Sequence, residues 1–191
     1  LLLGLMEFGT LGSYIYLALA IALFIALFRI ESRAVDPILP MTLFRERLFA
    51  IANSHGLLSG AAVFGSISFI PLFVQSVMGT SPLQAGITIT PMLLGWVLSS
   101  IIGMFIILKV GYRILALIGT STFAIGALFM TIINADSSQS LMMIFVTLMG
   151  IGMGLSVPSF LVAVQTSVEK RQLGTATSTL QFSRSIGGTV G

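Results

Sequence analysis

The chain has 191 residues, of which 56% are apolar and only 8% are Asp, Glu, Lys or Arg, and its mean hydropathy is +1.08. A soluble domain carries about a quarter of its residues as charges, so this chain cannot solvate a globular surface and reads as an integral membrane protein built from hydrophobic helices. It has no Cys, one His and six acids, with a net charge of +3 that forms no dense basic block. Disulfides, thiolate metal sites and cysteine nucleophiles are therefore excluded, and nucleic acid is not an expected partner.

A spanning helix needs about 20 mostly apolar residues. Residues 1–6 read as the tail of an earlier apolar segment, and the uncharged stretch 8–28, closed by Arg29, reads as a first span. Residues 29–48 form a linker broken by Pro37 and Pro40. Within it, residues 41–49 read either as a short amphipathic stretch lying in the interface or as a plain run into the next span. Residues 48–108 contain no Asp, Glu, Lys or Arg. That run is too long for one span, and it breaks at Met78-Gly79-Thr80-Ser81-Pro82, a turn by composition. Helices are thus predicted over 48–77 and 83–108. A further span over 114–133 is closed by Asn134-Ala135-Asp136-Ser137-Ser138, and another covers 141–164. A last helix starts near Gln172 and is cut off at Gly191.

The expected class is all-α: a polytopic transmembrane helix bundle of five complete spans and one truncated span. The apolar stretches are continuous runs, unlike the alternating segments of an outer-membrane barrel. The first residue is Leu rather than Met, and the chain stops inside a Gly-rich apolar segment. It is expected to be part of a longer protein.

The basic residues test the span count independently. With loops numbered alternately, Arg29, Arg33, Arg45, Arg47, Lys109, Arg113, Lys170 and Arg171 all fall on one side, and Arg184 enters the membrane from that side. The opposite loops hold no Lys or Arg. Positive residues accumulate on cytoplasmic loops, so that side is expected to be cytoplasmic.

No catalytic triad, carboxylate pair or metal cluster can be assembled from these residues, so neither an enzyme nor a cofactor or metal site is expected. Gly150-Ile151-Gly152-Met153-Gly154 resembles a nucleotide loop only superficially, because it lies inside an apolar span with no preceding strand and no following Lys. Small residues four apart have a better use. Gly56 and Gly60, Gly95, Ser99 and Gly103, Gly150 and Gly154, and Gly187 and Gly191 with Gly188 beside them each give a helix a small face. Small faces let backbones approach closely in lipid. Pro71, Pro91 and Pro158 lie inside spans and can kink them, which suits a protein that rocks between states but also occurs in static bundles.

The polar residues inside spans are the candidate pathway. His55 lies about two turns past Arg47. It reads as a member of a proton path, as a hydrogen-bonding link to a neighbouring helix, or as an interfacial residue. Asn53, Ser59, Ser66, Ser68 and Gln75 share its helix. They line a cavity if they share a face, and otherwise cross-link helices. Arg184 either snorkels to the cytoplasmic side or contacts a facing helix.

Several stretches, taken in order, resemble one family. They are Glu31, Pro37 and Leu43-Phe44-Arg45 before a span; Pro71-Leu72-Phe73-Val74-Gln75, Gly79, Ser81-Pro82, Ala85-Gly86 and Pro91; Gly103 followed by Lys109, Gly111, Tyr112 and Arg113; Gly174-Thr175-Ala176-Thr177-Ser178; and Arg184-Ser185-Ile186-Gly187-Gly188. The set resembles the major facilitator superfamily, in particular the fourteen-span drug:proton antiporters of the EmrB/QacA type. Gly103, Lys109, Gly111 and Arg113 resemble that family's degenerate second cytoplasmic loop motif. The motif usually carries an acid or Arg where residues 105–108 here are apolar, which weakens any charge latch at this loop.

The resemblance implies a multi-pass protein of the inner (plasma) membrane. Residues 1–28 would hold the end of a preceding segment and an inserted helix, 29–48 the cytoplasmic linker, and 49–191 the C-terminal bundle of four complete helices and one truncated. It implies alternating access about a midplane site, with proton influx driving export of small lipophilic, often cationic, drug-like compounds. The implied partners are the lipid bilayer, protons, such substrates and an N-terminal half outside this chain. Two other readings stay open: a facilitator or uptake carrier for a small metabolite on the same fold, and a membrane scaffold that transports nothing.

Overall fold

The computed structural model describes residues 45–191 continuously, together with Leu43 and scattered residues between Tyr14 and Arg29. The span expected over 8–28, the segment 1–6 and most of the linker 29–48 with its amphipathic stretch lie outside the described residues. The chain divides into two compact units, Leu1–Ala50 and Ile51–Gly191. The described part of the first consists of Leu43, residues 45–50 and helical residues between Tyr14 and Arg29.

Five α-helices follow in order: α1 Arg47–Ser76, α2 Pro82–Val110, α3 Tyr112–Met130, α4 Gln139–Ser167 and α5 Leu173–Val190, with a short 3-10 turn at Lys170–Gln172 before α5. No strand occurs among the described residues. Helices are what lipid demands, since each backbone polar group must find its partner inside its own segment. The first four are long and apolar enough to cross a membrane. At about 1.5 Å per residue, α3 roughly matches a hydrocarbon core of about 30 Å, while α1, α2 and α4 outreach it by several turns.

Local chemistry sets the helix ends, and it explains where they differ from the predicted bounds. Helix α2 starts at Pro82, the first-turn position where proline's missing N–H costs nothing. Before it, Ser81 Oγ accepts from Gln84 N and Gln84 Oε1 accepts from Ser81 N, both at 3.3 Å. At its far end α2 runs past residue 108 through Val110, and Gly111 alone joins it to α3. Gly111 has φ +80°, which an L side chain rarely adopts. Helix α4 begins two residues early because Ser138 Oγ accepts from Leu141 N at 3.2 Å.

Helix α4 is the centre of the bundle. It runs parallel to α2, since Gln139 meets Gln84 and Thr88 near their starts and Gly154 meets Ser99 further along. It runs antiparallel to α3, because Gly152 faces Phe123 and Gly119, and Gly126 faces Met149. Val63, Ile70 and Val74 of α1, Met92 of α2, Phe123 of α3 and Met142, Val146, Met149 and Met153 of α4 form one buried core. Unbranched Met side chains fill the irregular gaps that glycine-lined crossings leave.

Two polar links clamp α2 to α4. Ser99 Oγ donates to the Ile151 carbonyl at 3.1 Å. Gln139 Nε2 donates to the Gln84 carbonyl at 3.0 Å and to Thr88 Oγ1 at 2.7 Å. By contrast the outer face of α2 is bare: Phe105 is 70% and Leu108 86% exposed, as lipid contact requires. The architecture is an all-α polytopic transmembrane bundle.

The end of the bundle where α2 meets α3 and α4 leads into α5 carries Lys109, Arg113, Lys170 and Arg171, while the connections at the other end, Val77–Ser81 and Thr131–Ser138, carry no Lys or Arg. The basic end is expected to face the cytoplasm. Ser81→Cys and Ser138→Cys in the full-length protein should therefore react with a membrane-impermeant maleimide added to intact cells, and Lys109→Cys should react only after permeabilisation. Labelling of Lys109→Cys from outside would invert the orientation.

Candidate functional site

The candidate site is a small open cleft among α1, α4 and α5. Helix α1 supplies Ala52, His55, Gly56 and Ser59, α4 supplies Val157, Phe160 and Leu161, and α5 supplies Leu180, Gln181 and Arg184. His55 is eight residues beyond Arg47, about 12 Å along the axis, and Arg184 eleven beyond Leu173, about 16 Å.

The His55 ring lies against Phe160 with centroids 4.4 Å apart and planes inclined by 33°. Its Nε2 is buried and makes no hydrogen bond among the described residues. Ser59, 2% exposed, donates to the Gly56 carbonyl at 3.3 Å and so turns its hydroxyl back on its own helix. The Arg184 guanidinium donates to Gln181 Oε1. A Cβ on Gly60 would meet the Arg184 carbonyl and lie 3.1 Å from its Cγ. Gly60 thus leaves room for the close approach of the Arg184 backbone and the first part of its side chain.

The structure gathers His55 and Ser59 into this cleft and leaves Asn53 and Gln75 elsewhere. At about 100° per residue, His55 and Ser59 lie about 40° apart around the helix, whereas Asn53 and Gln75 each lie about 160° from His55. Asn53, 7% exposed, accepts at Oδ1 from Ser183 Oγ at 2.7 Å and ties α1 to α5. Gln75 is exposed near the end of α1. Phe160 and Gln181 enter the site unforeseen. Gln181 had a signal, because it stands three residues before Arg184 and so shares its face. Phe160 had none, since nothing local distinguishes a cleft aromatic from a core one.

The remaining predicted positions lie outside the cleft or on its seams. Gly103 is buried beside Leu155 and Leu115, while Lys109, Gly111 and Arg113 are exposed around the one-residue turn. Gly150 and Gly154 lie where α4 crosses α2, and Gly56, Gly60, Gly187 and Gly188 where α1 crosses α5. A second cleft, with a cavity volume of about 150 Å³, lies among α1, α3 and α4, lined by Phe69, Ile70, Phe73, Met130, Ile133 and Met142. Its walls carry no polar side chain to orient a ligand.

The sequence matches the family model of the Major Facilitator Superfamily over residues 3–191. Among curated proteins it is 38% identical over 174 residues to "Multidrug transporter protein MdtP" of Bacillus subtilis, covering 91% of this chain and 32% of that protein. "Multidrug resistance protein 3" of Bacillus subtilis is also 38% identical, over 168 residues, covering 88% of this chain and 33% of that protein. "Tetracycline resistance determinant" of Streptomyces rimosus is 32% identical over 160 residues, covering 83% of this chain and 46% of that protein. The chain thus spans about a third of the length of the two Bacillus relatives and less than half of the third. A family match along almost the whole chain, on a bundle of apolar, glycine-seamed spanning helices, gives one conclusion: this chain belongs to the Major Facilitator Superfamily.

Proposed function

We propose that the complete protein is a secondary active exporter of small lipophilic compounds in the inner membrane, driven by proton influx through alternating access. The observation that carries this reading is the 38% identity, over 91% of the chain, to a protein named as a multidrug transporter. Within the superfamily, the ordered motifs described above favour the fourteen-span drug:proton antiporters. On that reading residues 49–191 belong to the C-terminal helical half, 29–48 to a cytoplasmic linker, and 1–28 to a preceding segment and an inserted helix. The other half of the transport path comes from residues outside this chain.

His55 and Ser59 are the pathway residues this half contributes, being the two that share the cleft. Asn53 and Gln75 act instead as helix link and outer-end polar group. Gly103, Lys109, Gly111 and Arg113 form the cytoplasmic loop motif: Gly103 packs inside α2, while Lys109, Gly111 and Arg113 surround the turn into α3, where Gly111 has a φ of +80° that side chains rarely adopt. Pro71, Pro91 and Pro158 lie inside α1, α2 and α4. Each removes one backbone donor from its helix, which supplies points of bending for a rocking motion.

Inside-out vesicles holding the full-length protein test this. Energising them to make the lumen acidic should drive ethidium uptake, and nigericin, which collapses the pH gradient, should abolish it. Ethidium movement down its own gradient that nigericin leaves unchanged would make the protein a facilitator. No movement in either state would leave a non-transporting scaffold.

A further inference from the structure

The cleft carries charge of one sign. Arg184 is the one permanently charged residue among its ten lining residues, and no carboxylate is present there. Of the acids among the described residues, Glu46 precedes α1, Asp136 lies between α3 and α4, and Glu169 lies between α4 and the 3-10 turn. None is within a described span. A cation among apolar helices is costly unless it is paired or hydrogen-bonded.

Arg184 is also held in place. Its carbonyl and Cγ lie in the space left by Gly60, and Gln181 accepts from one guanidinium nitrogen. A guanidinium has five N–H donors in a planar fork, so several remain for another acceptor. The fork matches two oxygens of a carboxylate or similar anion. Across the cleft, the His55–Phe160 pair offers aromatic surface at a 4.4 Å ring separation, and Ala52, Val157, Leu161 and Leu180 complete an apolar wall. Aromatic faces of this kind take a further flat ring by offset or edge contact.

We propose that the α1–α4–α5 cleft is an anion-preferring aromatic subsite: Arg184 holds the anionic oxygens of a planar aromatic ligand, and the wall around His55 and Phe160 holds its ring. Calling that ligand a substrate rests on the export reading; the cleft's charge preference does not. A cationic compound receives no countercharge from this cleft, so any that the protein carries must find one on residues outside it. Gln181 and Gly60 are positioning residues, acting through Arg184.

The chain has no Cys, so Leu161→Cys in an otherwise cysteine-free full-length protein in nanodiscs places one thiol in the cleft. Its rate of labelling by N-ethylmaleimide reports occupancy. Naphthalene-2-carboxylate should slow labelling at a concentration about tenfold lower than naphthalen-2-ylmethylammonium, the same ring with the opposite charge, as one charge-assisted pair provides. Arg184→Gln should erase the preference, and Arg184→Lys, which keeps the charge, should retain its sign. Equal protection by both probes, protection by neither, a thiol that does not react, a preference surviving in Arg184→Gln or one lost in Arg184→Lys would each overturn the proposal. Labelling does not require transport. A charge preference without ethidium uptake would remove the export reading and leave the subsite, and uptake without a preference would do the reverse.

Discussion

Gly150→Ala is expected to lose most of the correctly folded protein. A Cβ at residue 150 would run into the Met92 carbonyl oxygen, with the Met92 carbonyl carbon at 2.8 Å and Cα at 3.0 Å. All three atoms are backbone, so no side chain can rotate away, and α4 must separate from α2. Gly154 sits one turn on in the same seam, where a Cβ would meet Ser99 Oγ and the Trp96 carbonyl. The seam therefore cannot reopen at one point without straining the other.

Separation would also stretch the Ser99 to Ile151 hydrogen bond of 3.1 Å and the Gln139 to Thr88 bond of 2.7 Å. Overpacking a well-packed site costs about 1–3 kcal/mol even where side chains can adjust. Here the neighbour is main chain and the broken hydrogen bonds add to the cost, so the loss should exceed that range. The measurement is the melting temperature and monodisperse yield of the full-length protein in detergent. Gly86→Ala is the matched control on α2, because nothing lies within 4 Å of its added Cβ; it should stay within about 0.5 kcal/mol of the parent. Equal melting of the two variants would mean that α2 and α4 do not approach as described.

Gly187→Ala should separate activity from stability. Its Cβ would meet the Leu57 carbonyl oxygen, with the Leu57 carbonyl carbon at 2.8 Å and Ala61 N at 3.0 Å. This is the α1–α5 seam, which also brings Gly60 against Arg184 and Gly191 against Ala61. The main buried core draws on α1 to α4 and contains no residue of α5. Displacing α5 should thus cost less folded protein than Gly150→Ala does. It should move Arg184 and Gln181 relative to His55 and Phe160, however, because the cleft spans the same seam.

A displacement of about 1 Å at a positioned site can cost up to about a hundredfold in function, and ethidium uptake is expected to fall at least roughly tenfold. The labelling rate of Leu161→Cys should change with it. Gly174→Ala, near the start of α5 with nothing within 4 Å of its Cβ, should leave both unchanged. Uptake by Gly187→Ala at the parent rate would remove the seam from the working site.

Much of the fold was legible before any coordinates. The predicted helices 48–77, 83–108, 114–133 and 141–164 match α1 to α4 to within about three residues. Hydropathy of long uncharged runs is a strong signal, because lipid admits only helices or closed barrels. The turns were legible for the same local reason: Gly79, Ser81-Pro82 and Ser138 act on neighbours within three or four residues. The residual errors sit at helix ends, where caps decide the last turn.

The cleft was only half legible. His55 and Ser59 stood out as polar atoms in an apolar helix, but so did Asn53 and Gln75, and only their angles around α1 separate the pairs. Arg184 was visible as a charge within a span, with either a snorkelling or a packed role. Its close approach to α1 follows from Gly60, which is 124 residues away in the sequence, and no periodicity within α5 reports on it.

By itself, then, the sequence determined that this protein is a membrane helix bundle, how many spans residues 48–191 hold and where they turn. Those properties follow from transfer free energy and capping, which act along a single segment. Tertiary structure alone decided that α4 is the centre, which glycines are seams rather than passive small residues, and that one His, one Phe and one Arg from three helices share a cleft. Those are matters of which helix faces meet, and in lipid the faces meet by close packing and interhelical hydrogen bonds rather than by hydrophobic contrast. Hydropathy marks which segments enter the membrane, and it is blind to which side of each one touches its neighbour.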